Sequence, residues 1–230
     1  MNPNTVPQSY PGSEQVAVGQ NRVLRNTYLL LAVTMVPTVI GAAIGMQTGG
    51  IIMQHPIMAS LLMIGGVIAL QFGIAANRNS GLGVVLLLAM TLLLGWWLGP
   101  LLTMALALRN GPQLVGIAAG GTGIIFFAMA AIATTTRRDF SFMGKFLFVG
   151  MIVLLLAMVA NMFMHIPALA LTISALVVVV FSLFLLHDVS RIVNGGETNY
   201  IMAATGVYMS LINIFANLLQ LLMALSGERD

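Results

Sequence analysis

Seven long apolar stretches are the feature that most constrains what this chain can fold into. They cover residues 28–46, 56–76, 82–108, 113–135, 146–164, 168–187 and 201–225, and none of them contains Asp, Glu, Lys or Arg. Each stretch is near the roughly 20 residues that a helix needs to cross the hydrocarbon core of a bilayer. Only 7% of the residues are charged, against about 25% in a soluble domain, so a soluble globular fold is excluded.

The stretches predict helices rather than strands. Backbone groups find no water inside lipid, so each stretch must satisfy its own hydrogen bonds as a helix. Strands of a membrane barrel would hold about 10 residues of alternating polarity, which these stretches do not show. Pro56, Pro112 and Pro167 stand at the start of three stretches, where the first N–H has no partner in any case. The predicted fold is an all-α integral membrane protein, a seven-transmembrane-helix bundle.

The basic residues predict the orientation of this bundle. With the N-terminus in the cytoplasm, most Lys and Arg side chains lie on the cytoplasmic side, as the positive-inside rule requires. On that side are Arg22, Arg25, Arg78, Arg137, Arg138, Lys145 and Arg191, against Arg109 and Arg229 on the other. The C-terminus is then outside, although a re-entrant last segment would return it to the cytoplasm. These residues are too scattered to form a nucleic-acid patch, so the lipid bilayer is the expected partner.

The two ends of the chain differ from the bundle in composition. Residues 1–26 contain Pro3, Pro7 and Pro11 with many Asn, Gln and Ser, which predicts a flexible cytoplasmic tail. Residues 27–226 form the predicted membrane domain, and residues 227–230 form a short C-terminal tail. An alternative interpretation is a signal peptide with its cleavage site at residues 41–43 (Gly-Ala-Ala), within the first stretch, although that stretch exceeds the usual apolar core of a signal peptide.

Asp188 adjoins the end of the sixth stretch and is a candidate pH-sensing gate. If helix six continues past residue 187, Asp188 and Arg191 lie three residues apart on one face and can form an ion pair. Protonation of the carboxylate would then release its partner, which is how such a gate would switch. The alternative is an ordinary interfacial acid whose side chain reaches water.

Polar side chains form a stripe along the last stretch. Ser210, Asn213, Asn217 and Gln220 follow one another at steps that place them on one face of a helix. Because such a face is costly against lipid, helix seven is predicted to be central and surrounded by the other helices. The stripe either lines a hydrated path or fixes packing by hydrogen bonds between helices, worth about 0.6 kcal/mol each.

Small residues recur at a spacing of four, which lets helices approach each other closely. The pairs are Gly41 with Gly45, Gly95 with Gly99, Gly116 with Gly120, and Ala119 with Gly123. We expect these pairs to form packing surfaces between helices.

The sequence contains no catalytic or cofactor motif. The His-Glu-x-x-His, nucleophile-elbow and phosphate-loop patterns do not occur. The chain has no cysteine, which excludes disulfides and thiolate metal sites. His55, His165 and His187 are far apart along the chain and none shares metal-ligand spacing with an acid. We expect a protein without enzymatic activity, cofactor or metal centre.

Several short motifs from residue 23 to about residue 222 carry a family resemblance. The most specific are residues 195–200 (Gly-Gly-Glu-Thr-Asn-Tyr) and residues 210–215 (Ser-Leu-Ile-Asn-Ile-Phe). The others are residues 23–28, 98–101, 120–122, 126–127, 135–142 and 158–161. Taken in this order, they resemble the Bax inhibitor family of multispanning membrane proteins, in particular its bacterial YccA-like branch.

The resemblance implies a seven-helix bundle whose last helix is enclosed by the other six. It also implies a pH-sensitive calcium leak gated by two aspartates, the first falling on Asp188 in helix six and the second on Ser210 in helix seven. Because Ser210 is neutral, the carboxylate pair is broken in this chain. A calcium ion would then find Asp188 with only the neutral ligands Ser210 and Asn213.

The YccA-like branch is associated with the membrane-anchored protease FtsH, both as substrate and as modulator. The resemblance therefore implies a bacterial inner-membrane protein that modulates membrane-protein quality control through an FtsH-type protease. Residues 1–26 would be the segment at which the protease begins. The alternative function is a pH-sensitive calcium or cation leak channel gated at Asp188. A small-solute transporter is a weaker third hypothesis, because no inverted repeat with broken helices is evident.

Overall fold

The computed structural model describes residues 12–136 and 138–227, and this part of the chain consists of seven α-helices without a strand. The helices are Gly12–Gln54 (α1), Pro56–Ala76 (α2), Gly81–Leu106 (α3), Gly111–Thr136 (α4), Met143–Met164 (α5), Pro167–Val193 (α6) and Tyr200–Gly227 (α7). Each contains a segment that is long and apolar enough to cross a membrane. The predicted all-α membrane fold is confirmed.

The ends of the bundle differ from the sequence-based boundaries. α1 begins at Gly12, so residues 12–26 of the predicted tail continue the first helix. Residues 1–11 and 228–230 lie outside the described residues, and their assignment as tails stays a prediction. α7 holds 28 residues, which is long enough for a complete crossing and leaves no need for a re-entrant segment.

α7 lies at the centre of the bundle. It packs against α1, α2, α3, α4 and α6, whereas the contacts of α5 with the other described helices are with α6 alone. The resemblance implies that all six other helices enclose α7. In the structure five of them contact it, and α5 packs against α6 instead. The main core forms where α7 meets α3 and α6, with Leu87, Leu185, Ile201 and Tyr208 fully buried.

The outer surface of the bundle is apolar. Phe72, Phe127 and Phe146 are 74%, 70% and 80% exposed. On a soluble protein an apolar surface of this extent would cause association. Against lipid chains it needs no polar partners, because apolar side chains cover helices whose backbone hydrogen bonds are formed internally along most of their length.

α1 and α3 cross in backbone contact through the first two glycine pairs. A β-carbon at Gly41, Gly45, Gly95 or Gly99 would overlap backbone atoms of the opposite helix. The predicted close packing is confirmed here, since only glycine lets the two backbones meet. Gly41 belongs to the segment at which the signal-peptide alternative places cleavage, and in the structure that position is part of this interface.

The glycine pairs of α4 were predicted to pack in the same way, and that prediction is wrong. A β-carbon built at Gly116, Gly120 or Gly123 has no described atom within 4 Å. Gly121 is the α4 glycine that meets the central helix, since a β-carbon there would lie 2.8 Å from the Leu218 side chain of α7. Spacing alone does not show which face of a helix points inward.

Candidate functional site

Asp188 lies near the end of α6, beside the first half of α7. Its Oδ1 is 3.1 Å from Nδ1 of His187, and the His187 and Asp188 side chains are 10% and 20% exposed. On the opposite side, a β-carbon at Gly206 of α7 would lie 2.7 Å from Oδ2 of Asp188. The acid is therefore held at the contact between α6 and α7, with an imidazole that becomes its ion-pair partner when protonated.

The expected ion pair between Asp188 and Arg191 is not formed, and that prediction is wrong. α6 does continue past residue 187, but the Arg191 guanidinium lies 3.5 Å from Oε2 of Glu197 and donates to the carbonyl of Gly196 at 3.2 Å. Gly195, with φ of 76°, turns the chain back after α6 and brings Glu197 to this arginine. Arg191 therefore closes the loop between α6 and α7.

The residues that the resemblance would assign to one calcium ion lie in the following surroundings. Gly206, one helical turn before Ser210, is the α7 residue that lies against Asp188. Ser210 is 2% exposed within the core. Asn213 lines a cavity whose walls do not include Asp188 or Ser210. Asn213 thus faces a cavity, whereas Asp188 lies at the contact between α6 and α7.

The motif at residues 195–200 connects two loops at the start of α7. The Oδ1 of Asn199 accepts hydrogen bonds from the backbone N–H groups of Ile201 and Met202 at 3.0 and 3.1 Å, which caps the helix. Its Nδ2 donates to the Arg78 carbonyl in the loop between α2 and α3 at 2.8 Å. Glu197 in turn accepts from the N–H of Asn199 at 2.9 Å. Within the motif, Glu197 and Asn199 therefore both have defined structural partners.

The loop between α4 and α5 docks on the same end of α6. Ser190 Oγ donates to the Arg138 carbonyl at 3.0 Å and accepts from the N–H of Phe140 at 3.2 Å. Within this loop, hydrogen bonds from the Ser141 hydroxyl and N–H hold the pKa of the exposed Asp139 carboxyl below its usual value. The loop that carries Asp139 is thus fixed to the helix that carries the candidate gate.

Tyr208 is a central residue that sequence reasoning missed. Its side chain is 1% exposed, and its hydroxyl lies 2.8 Å from the Thr38 hydroxyl of α1 and 3.3 Å from the Thr91 carbonyl of α3. One hydroxyl therefore joins three helices. A single tyrosine in an apolar stretch gives no signal of such a role, because its partners come from distant parts of the chain.

The predicted polar stripe of α7 is divided between the core and a cavity. Ser210 is buried in the core, whereas Asn213, Asn217 and Gln220 line a cavity of about 390 Å³ between α3, α5, α6 and α7. The two asparagines donate to carbonyls of their own helix at 2.8 and 2.9 Å. Gln220 accepts a hydrogen bond from Ser174 of α6 at 3.1 Å. Of the two predicted roles of the stripe, Gln220 forms a hydrogen bond between helices, and Asn213, Asn217 and Gln220 all line a cavity.

These two places differ in the chemistry they offer. Asp188 and His187 supply one acid and one imidazole near the end of the bundle, while the cavity supplies neutral amide and hydroxyl groups. In the described residues, no three His, Cys, Asp or Glu side chains are grouped as a metal site would require.

Comparison with known proteins covers the whole bundle. A family model described as "Inhibitor of apoptosis-promoting Bax1" matches residues 20–227. The Escherichia coli protein named modulator of FtsH protease YccA is 40% identical over 88% of this chain and 90% of its own length. An uncharacterized protein of Neisseria meningitidis is 40% identical over 92% of this chain and 94% of its own. An uncharacterized membrane protein of Vibrio cholerae is 40% identical over 88% of this chain and 89% of its own.

Proposed function

This chain belongs to the Bax inhibitor family, and we propose that it is a bacterial inner-membrane protein that modulates membrane-protein quality control by binding an FtsH-type protease. The observation that carries the proposal is the 40% identity, over 88% of the chain, with the Escherichia coli relative named for that modulation. A second Escherichia coli protein, equally similar, bears the name inner membrane protein YccA.

The extent of the family match separates the N-terminal residues from the membrane helices, and we propose a different role for each. It begins at residue 20, so residues 1–19 lie outside it. We assign modulation to the membrane helices and assign the start of degradation to residues 1–11, the part of the predicted tail that precedes α1. Residues 12–26 continue α1, and Thr27 is already fully buried. A test of the initiating segment should therefore remove residues 2–11 and leave α1 intact.

The test compares the full chain, a chain lacking residues 2–11, and a chain with those residues scrambled. In cells with the protease, deletion should prolong the half-life of the chain severalfold, while scrambling should not, because initiation needs an unstructured end rather than a particular sequence. In cells without the protease, all three should decay alike. Equal decay of the three in the presence of the protease would remove the initiating role.

Modulation is measured separately, on the turnover of a second membrane substrate of the protease. Raising the amount of this chain should slow that turnover, and the chain lacking residues 2–11 should retain the effect because its helices are unchanged. If the second substrate decays at the same rate with and without this chain, the modulator function is refuted.

A cation leak gated at Asp188 is the second candidate function. It is supported by the position of the carboxylate, which is 20% exposed and lies against Gly206 where α6 meets α7. In liposomes, a leak gated here would pass calcium in a pH-dependent way, and Asp188→Asn would alter that dependence. Glu197→Gln is the matched control, since this acid pairs with Arg191 in the loop. Flux no greater than that of empty liposomes would exclude the leak.

We also propose that the N-terminus is cytoplasmic and the C-terminus outside, from the distribution of basic residues. The natural chain has no cysteine, so single cysteines report sidedness without background. Ser80→Cys, between α2 and α3, should resist a membrane-impermeant thiol reagent added to the outside of intact cells. Arg109→Cys, between α3 and α4, should react. The reverse labelling pattern would show that the bundle has the opposite orientation in the membrane.

A further inference from the structure

The cavity beside the second half of α7 has the size and walls of a small-molecule site. Its volume is about 390 Å³, within the roughly 300–1,000 Å³ of known ligand pockets. Its apolar walls come from Leu94, Trp97, Leu98, Met158, Met162, Ile173 and Ile212. α3 and α5 both line it yet do not contact each other. The cavity therefore extends between these two helices, on a side of the bundle that meets lipid.

Two asparagines on α7 present hydrogen-bond acceptors to this cavity. Asn213 donates to the Met209 carbonyl and Asn217 donates to the Asn213 carbonyl, at 2.8 and 2.9 Å. A carbonyl only accepts, so the atom placed against it must be the amide nitrogen of the asparagine. The Oδ1 atom of each asparagine is left as an acceptor, without a hydrogen bond to a described residue.

The other polar groups of the cavity are already partly engaged. Gln220 accepts from the Ser174 hydroxyl at 3.1 Å, and the Oδ1 of Asn161 accepts from the N–H of Ile166 at 3.1 Å. The acceptors that remain for a ligand are thus concentrated on Asn213 and Asn217, opposite the walls contributed by α3 and α5.

The composition of the walls restricts the charge of the occupant. None of the lining residues is ionisable. Calcium and magnesium sites in proteins are typically built around carboxylate oxygens, which balance the charge of the ion, and anion sites use Lys, Arg or converging N–H groups. A charged molecule would enter this cavity without a counter-charge, which is strongly unfavourable. A wholly apolar molecule would bury the two asparagine oxygens without partners, which is also costly.

We propose that this cavity binds a neutral, membrane-soluble molecule that carries a hydroxyl donor on a compact apolar body, with phenols as the simplest representatives. The hydroxyl donates to Oδ1 of Asn213 or Asn217, and the ring packs between Trp97 and the methionines of α5. This site is independent of protease binding and of the acid at residue 188.

The two tryptophans allow the site to be measured directly. Trp97 lines the cavity, whereas the indole N–H of Trp96 donates to the Thr48 hydroxyl of α1 at 2.8 Å. Trp96→Phe therefore leaves Trp97 as the sole reporter, and Trp97→Phe leaves Trp96 as a matched control. The probes are 4-bromophenol and bromobenzene, whose bromine quenches a nearby indole, added to the full chain in lipid nanodiscs.

In the Trp96→Phe chain, quenching by 4-bromophenol should saturate, and bromobenzene should require about a fivefold higher concentration because it lacks the donor. In the Trp97→Phe chain, both probes should quench weakly and without saturation, as partitioning into lipid does. Replacing both asparagines by leucine should abolish the preference for the phenol.

Ala216→Phe, which fills the cavity from α7, should abolish saturation. If that variant does not fold, Ala170→Phe fills the cavity from α6 and serves the same purpose. Quenching that rises linearly with probe in the Trp96→Phe chain would overturn the site. Saturation with equal affinity for the two probes would overturn the assignment of the ligand class. Saturation that persists in a variant with a filled cavity would overturn the location of the site.

Discussion

The two halves of α7 use their polar and small residues in opposite ways. From Tyr200 to Ser210 the helix is enclosed, and most of its side chains are buried. Asn199 caps this half, and the Tyr208 hydroxyl reaches α1 and α3. From residue 211 to residue 227, the buried side chains are those of Ile214 and Leu219.

In the second half, the polar side chains of Asn213, Asn217 and Gln220 line the cavity. Asn213 and Asn217 bond to their own helix and leave an acceptor on the open side. The Tyr208 hydroxyl in the first half therefore holds helices together, while the Oδ1 atoms of Asn213 and Asn217 in the second half are left to meet a ligand. Substitutions of similar kind should cost much more free energy of unfolding in the first half than in the second.

The largest difference is expected from added side-chain volume. A β-carbon at Gly206 would lie 2.7 Å from Oδ2 and 3.3 Å from Cγ of Asp188. Gly206→Val should lower the free energy of unfolding by about 2 kcal/mol, as overpacking does. Ala216→Val, in the second half, should change it by less than about 0.5 kcal/mol because the added methyl groups enter a cavity. Thermal unfolding in detergent measures both, and equal losses would contradict the comparison.

A smaller loss is expected at the start of the enclosed half. Asn199→Ala removes the cap of α7 and the hydrogen bond to Arg78, and it should cost about 1 kcal/mol of unfolding free energy. Asn199→Asp keeps the capping oxygens but loses the donor, so its cost should be intermediate. At the other end of α7, Ser226→Ala removes one acceptor for Asn110 and should cost least. An Asp variant as unstable as the Ala variant would show that the cap is not the cause.

The loss expected from a single hydroxyl is smaller again. Tyr208→Phe should cost about 0.6 kcal/mol of unfolding free energy, the average for a hydrogen bond between membrane helices. Thr38 keeps its own bond to the Thr34 carbonyl, so no buried donor is orphaned. Asn217→Leu should leave the free energy of unfolding nearly unchanged. Among the described residues, the hydrogen bond of the Asn217 side chain is to the Asn213 carbonyl of its own helix. Denaturation of the two variants side by side decides this, and a costlier Asn217→Leu would reverse the ranking.

The smallest effect concerns pH. Hydrogen bonds from Ser141 lower the pKa of Asp139, so folding favours the ionised carboxylate. Their contribution is present above the unfolded carboxyl pKa of about 3.9 and is lost as the pH falls through the lower folded value. Ser141→Ala should raise the Asp139 pKa toward its usual value and remove the contribution of the hydroxyl to stability at neutral pH, which is small because Asp139 is exposed. Carboxyl ¹³C titration by NMR measures the shift.

The matched hydroxyl at the cavity is that of Ser174 in α6, and this cavity has no ionisable lining residue. Ser174→Ala should leave the Asp139 titration unaltered. An unchanged Asp139 pKa in Ser141→Ala would show that the Ser141 hydroxyl does not control it, since the backbone N–H of residue 141 still donates to Asp139.

Much of the fold was predictable because lipid permits so few alternatives. α2 has the same bounds as its apolar stretch, and α6 begins at the proline that precedes the sixth stretch. The stripe on α7 correctly indicated a central helix, since polar side chains avoid lipid. The site was less predictable. Spacing placed Arg191 near Asp188, but a glycine turn after α6 directs that arginine to Glu197.

By itself, the sequence determined the class, the number of helices and the family, because apolar length and ordered motifs are properties of the chain alone. The packing of the helices decided which two of the four small-residue pairs form a backbone contact, and which of the four striped residues face a partner or a cavity. A helical period puts residues on one face but does not say what that face meets. Three features depend on how separate helices come together: the contact of Gly206 with Asp188, the hydrogen bond of Tyr208 with Thr38, and the cavity that Asn213 lines.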